Sequence, residues 1–198
     1  FGRNRVDVGI DDYAYGETLA GVGVAMAPLG SKWLVELQRW LERYQVLARG
    51  LDTSDGGASG MIETDRSYIW RPSIAAHAQN NHFDDVGNGL VDSLRDASTR
   101  ALVGGLPVGD VVRPLMRSRQ PLLRRVGIHV ITAAVGMKLE GAQSLADEIL
   151  GDEQYLETDY RHEYAELARR VLPIAADDVV TAWTQSVIEG PRATDDEI

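Results

Sequence analysis

With 198 residues, 44% of them hydrophobic and 25% charged, the chain is long enough to bury a core and too apolar to be globally disordered. It has no cysteine, which excludes disulfides and thiolate metal sites. Its formal net charge of -10 repels phosphate backbones on average and makes nucleic acid a poor partner.

No apolar run approaches the roughly 18 to 20 residues that a membrane-spanning helix needs. Arg3 and Arg5 are not followed by an apolar stretch, so the start does not read as a signal peptide. The chain begins without methionine and is read as a piece of a longer protein. Lysine occurs only at Lys32 and Lys138 beside abundant arginine, a bias expected of a high-GC bacterial genome. The expected compartment is the cytoplasm.

Along residues 1 to 11, Val6, Val8 and Ile10 alternate with polar residues, as in a short edge strand or an extended arm. Tyr13 to Ala27 reads as a loose helix weakened by Gly16, Gly21 and Gly23 and stopped by Pro28. Ser31 suits an N-cap. Trp33, Leu34, Leu37, Trp40, Leu41, Tyr44 and Leu47 then recur at helical spacing up to a C-cap at Gly50. Residues 51 to 67, with Gly56-Gly57-Ala58-Ser59-Gly60, read as a linker between an N-terminal helical segment (1–50) and a second helical domain (68–191).

In that second domain Pro72 predicts the first turn of a helix running through Ser73, Ile74 and His77. A helix from about 85 to 102 aligns Val86, Leu90, Leu94, Ala97, Ala101 and Leu102 and ends at Gly104-Gly105. Val111, Val112, Leu115 and Met116 mark the next. Pro121 opens another, with Leu122, Leu123, Val126, Val130 and Ala133 inward and Arg124 and Arg125 outside or at a contact with a neighbouring repeat. Helices over 139–150, 157–172 and 176–189 follow, the last closed by Gly190-Pro191 before an acidic tail at 192–198. The fold expected is all-α: about eight helices in an irregular α-solenoid-like stack with short antiparallel connections.

Ser118-Arg119-Gln120-Pro121-Leu122-Leu123-Arg124-Arg125-Val126-Gly127-Ile128-His129-Val130-Ile131 resembles the second helix of a HEAT-type repeat, with a proline at the first turn and arginines soon after it. Trp70-Arg71-Pro72-Ser73-Ile74 with His77, Gln79 and Asn80, and Leu90-Val91-Asp92-Ser93-Leu94-Arg95-Asp96-Ala97, look like the helical region of large bacterial ATP-binding proteins. Many of those are STAND-type NTPases linked to antiphage defence. The likeness continues through Pro121 to Arg125, His162-Glu163-Tyr164 with Leu167, and Ile188-Glu189-Gly190-Pro191, so it covers roughly residues 68 to 191. The P-loop pattern Gly-x-x-x-x-Gly-Lys is absent, so the resemblance implies a scaffold or sensor region associated with an NTPase and carries over no catalytic residue and no cofactor.

His77, His82, Asp84 and Asp85 form the densest set of potential metal ligands, but five residues separate the histidines, which does not put both rings on one helical face. His162-Glu163 lacks the second histidine of a zinc-protease helix, and no Gly-x-Ser-x-Gly elbow occurs. His129, within an apolar helix, fits a core-edge histidine. Trp33, Trp40, Trp70 and Trp183 suit helix packing, or the walls of an aromatic pocket. The function expected is a non-catalytic scaffold or sensor binding another protein or another domain of its parent chain. The alternatives are a small-molecule-binding regulatory domain, and a metal hydrolase using His77, His82, Asp84 and Asp85.

Overall fold

The computed structural model describes residues 29–52, 67–76 and 86–190. The expected N-terminal strand or arm, the loose helix before Pro28, the glycine-rich linker core and the acidic tail lie outside the described residues. So do His77, His82, Asp84 and Asp85.

The fold is all-α. Among the described residues there are eight α-helices: α1 (Ser31–Asp52), α2 (Ser67–Trp70), α3 (Val86–Val103), α4 (Val108–Met116), α5 (Pro121–Gly136), α6 (Ala142–Leu150), α7 (Arg161–Val171) and α8 (Asp177–Glu189). Two 3-10 turns, Glu153–Leu156 and Thr158–Tyr160, lead into α7, and a third, Leu172–Ile174, leaves it. The helix expected over 157–172 is therefore shorter, because its first residues are spent on those turns.

Helix α5 lies at the centre. Leu122, Leu123, Val126, Ile128, Val130, Ile131 and Ala134 are all fully buried, an apolar girdle wider than the single stripe of a surface helix. It packs against α3, α4, α6, α7 and the short α2. Packing continues outward from α3 and α4 to α1 on one side, and from α6 to α8 on the other. On α1 the residues Trp33, Leu34, Leu37 and Leu41 are buried and continue the same apolar core.

Close approach of α4 and α5 depends on Gly127. A Cβ there would sit 2.5 Å from Met116 Sδ and 3.2 Å from Leu115 Cβ.

Helix ends follow the expected backbone chemistry, with one exception. Gly105 at φ 91 ends α3, and Leu106 N–H bonds back to Ala101 O at 3.0 Å. The same wrap ends α5, where Leu139 N–H reaches Ala134 O at 3.1 Å, but the left-handed position is held by Lys138 at φ 57. Gly190 at φ 75 ends α8. The exception is Gly50, which does not cap α1: the helix continues through it to Asp52.

Candidate functional site

Pro72 does not open a helix. Instead α2 stops at Trp70, and Arg71 to Ala76 run as non-helical chain. Yet Ile74 is fully buried. Buried backbone outside a helix or sheet must find other hydrogen-bond partners. Here charged side chains supply them.

Glu163 Oε1 accepts from Ile74 N at 2.9 Å. The Ile74 carbonyl accepts from Arg71 Nη2 at 3.2 Å and from Arg95 Nη1 at 3.1 Å. Arg71 Nε donates to Ser73 O at 2.8 Å. Arg125 Nη2 donates to Arg71 O at 2.8 Å and Pro72 O at 3.2 Å. Side chains from α3, α5 and α7 thus close around Arg71 to Ile74 like a clasp. A first helical turn at Pro72 loses to this arrangement because tertiary partners satisfy the non-helical backbone better than one isolated turn can.

The charges are also paired with one another. Arg125 Nε lies 2.8 Å from Glu163 Oε2, with the two side chains 1% and 2% exposed. Asp92 Oδ1 receives Arg71 Nη2 at 2.6 Å and Arg95 Nη1 at 2.5 Å. Arg95 Nε donates to Asp96 Oδ1 at 2.7 Å, and Arg71 Nη1 to Asn88 Oδ1 at 3.0 Å. Three guanidinium groups therefore meet three carboxylates, and the cluster is formally neutral. Neutrality is what makes this depth tolerable, since an unmatched buried ion costs several kcal/mol. Asp92 and Asp96 stand at the outer rim, 44% and 49% exposed, where water shares their charge. Helical spacing explains the convergence: Asn88, Asp92 and Arg95 follow at four and three residues along one face of α3.

His129 lies one turn beyond Arg125 on α5 and is half-buried. Burial holds its pKa below the ordinary 6.5, with Arg95 and Arg71 acting in the same direction and Glu163 and Asp96 opposing. That lowering favours the neutral imidazole at neutral pH.

A second polar group surrounds Arg124. Its Nε donates to Ser118 O at 2.6 Å, and its Nη1 to Gln154 Oε1 at 2.7 Å and the Tyr160 hydroxyl at 3.4 Å. Tyr155 stands edge-on to Tyr160 at 5.0 Å and stacks on Tyr164 at 6.5 Å. The Tyr164 hydroxyl donates to Leu150 O at 2.7 Å. Burial pushes the Tyr155 and Tyr164 phenols up to about 12. The neighbouring Trp183 indole partly opposes that rise at Tyr164.

The residues singled out in the sequence fall in several places. Trp33 is buried and meets Trp40 edge-on at 5.3 Å, while Trp40 is 39% exposed. Trp70 is half-buried where α2 ends, and Trp183 is half-buried on α8 beside Tyr164. Of the two adjacent arginines, Arg125 enters the interior helix contact and Arg124 bridges α5 to the turns before α7. His162 is exposed.

Sequence reasoning missed the convergence of Arg71, Asp92, Arg95, Arg125 and Glu163. The available signal was the position of Arg125 on a helix otherwise apolar on nearly every side. Among the described residues no group of three or more His, Asp or Glu side chains is arranged to hold a metal. No described helix is long and apolar enough to cross a membrane. Comparisons of this chain with protein-family models, with curated proteins and with solved structures yield no match.

Proposed function

We propose that this chain is a non-catalytic helical scaffold or sensor segment of a larger bacterial protein, and that it works by docking another protein or another domain of its parent chain. The observation that carries this reading is the outer face of α1. Val35, Trp40, Val46 and Leu47 are 41%, 39%, 62% and 68% exposed along a 22-residue helix whose other face is buried in the core. Apolar side chains repeated along one exposed helical face are a docking feature, unlike scattered single ones.

The clasp supports the non-catalytic half of the proposal. Convergent arginines, carboxylates and a histidine are the materials of an active site. Here the guanidinium groups and carboxylates bind each other and the backbone of Arg71 to Ile74. The short signatures behind the likeness to helical regions of bacterial ATP-binding proteins contribute the same five residues, Arg71, Asp92, Arg95, Arg125 and Glu163. An NTPase-linked, HEAT-like stack is the parent architecture we favour.

The test is a photo-crosslinking residue placed at Leu47 in the full parent chain. The expected result is one defined cross-linked peptide, abolished by Val46→Asp. Absence of cross-links from Val35, Val46 and Leu47 alike overturns the proposal.

A further inference from the structure

Helices α1 and α8 stand at the two ends of the packing order, and their exposed faces differ in charge. On the outer side of α1, Lys32 and Arg43 are exposed, and among the described residues neither forms an ion pair. Arg39 and Glu36 neutralise each other at 2.7 Å, and Glu42 is turned inward to Ser118 at 3.3 Å. Among the described residues, the outer face therefore carries two positive charges outside any ion pair, amid exposed apolar side chains.

Helix α8 is the converse. Its 13 residues include Asp177, Asp178 and Glu189 and no cation. None of its residues is fully buried. Ile188 is 74% exposed and Val187 45%, and Ile174 in the preceding turn is 64% exposed.

The spacings match. Lys32 and Arg43 are separated by 11 residues, and so are Asp178 and Glu189. Eleven residues are close to three helical turns and about 16.5 Å of rise, so each pair lies on one side of its own helix at the same separation. Laid antiparallel, Arg43 meets Asp178 and Lys32 meets Glu189, the helix dipoles oppose favourably, Val35 lies near the level of Ile188, and Val46 passes beyond Asp178 toward the turn that holds Ile174.

We infer that a second copy of this chain covers α1, through its own α8, in a head-to-tail contact. Such a contact is heterologous: each copy keeps one free end, so association is open-ended and grows with concentration. The charge pairs are solvent-exposed, so they set register and salt dependence, and the apolar residues beside them, Val35 with Ile188 and Val46 with Ile174, supply the attraction. The inference rests on the reading of α1 as a docking face and names its partner.

The experiment is light scattering on the purified chain from micromolar to millimolar concentration, at low and high salt. Wild type is expected to grow in mean mass with concentration at low salt, with association at least about tenfold weaker at high salt, where screening shortens to a few ångströms. Reversing α1 (Lys32→Glu with Arg43→Glu) gives a monomer. Reversing α8 (Asp178→Lys with Glu189→Lys) also gives a monomer. Mixing the two variants restores association, because each reversed face then meets its complement. A wild type that stays monomeric throughout, reversals without effect, or a mixture that stays monomeric overturns the inference. A monomeric purified chain whose Leu47 still cross-links to foreign sequence in the parent protein removes self-stacking and leaves the docking role standing.

Discussion

Replacing Arg125 and Glu163 together by Met and Leu separates two roles for the buried ion pair. If the two side chains served only to neutralise each other, apolar residues of similar volume would be neutral or stabilising, as for many buried pairs. The clasp gives them another task. Arg125 donates to the carbonyls of Arg71 and Pro72, and Glu163 accepts from the buried Ile74 amide. The double variant strands those three backbone groups. At roughly 1 to 3 kcal/mol for each unsatisfied buried group, with water relieving Pro72, the expected loss is about 2 to 6 kcal/mol.

Glu163→Gln alone leaves a buried, unmatched guanidinium and is expected to cost about 3 to 5 kcal/mol. At a typical urea slope of about 2 kcal/mol per molar, that lowers the unfolding midpoint by roughly 1.5 to 2.5 M. Urea titration of wild type, Arg125→Met, Glu163→Leu and the double variant gives the full cycle. The double variant should lose less than the sum of the singles, because the two sites interact, yet still fall short of wild type. A double variant as stable as wild type refutes the clasp.

Gly127→Ala is expected to destabilise by about 1 to 2 kcal/mol despite alanine's better helix propensity, and Met116→Ala in the same chain should recover part of the loss by vacating the space. Thermal melts of the three variants check both effects. Lys138→Gly should stabilise by roughly 0.5 to 1 kcal/mol, because a lysine at φ 57 carries a strain that glycine lacks; no gain in the urea midpoint contradicts this. His129 has a folded pKa below its unfolded value of 6.5, so the unfolded state binds the proton more readily. Its contribution to stability is complete above about pH 6.5 and is lost as pH falls from there through the folded pKa. Urea midpoints between pH 7.5 and 5 should drop less steeply in His129→Gln than in wild type. Tyr164→Phe removes the bond to the Leu150 carbonyl and should cost about 1 kcal/mol by the same titration.

Helix positions were legible because the apolar residues of α1, α3, α5 and α7 recur at three and four, and because proline and glycine punctuate the breaks. That periodicity reports which face is buried, and it held for Leu37, Leu94, Val126 and Leu167, all of them fully buried. Arg71 to Ile74 was not legible. Proline at a helix start is a local rule, and what overrides it comes from Arg125 and Glu163, more than fifty residues further along. The depth of Arg125 was hidden for a related reason. A charged residue on a helix reads as surface until a partner is known, and Glu163 is 38 residues away on another helix. Gly50 misled because glycine within a helix costs only about 1 kcal/mol relative to alanine and does not by itself end one.

Hydrogen exchange at the Ile74 amide bears most directly on the claim that the charged centre of this protein holds its own backbone. Ile74 belongs to no helix, so without the clasp its amide would exchange as an irregular segment does. The account predicts exchange as slow as in the centre of α5, and a large acceleration in Glu163→Gln at that amide beyond any change in the α5 amides. Rapid exchange in wild type, or a rate unmoved by the substitution, contradicts it.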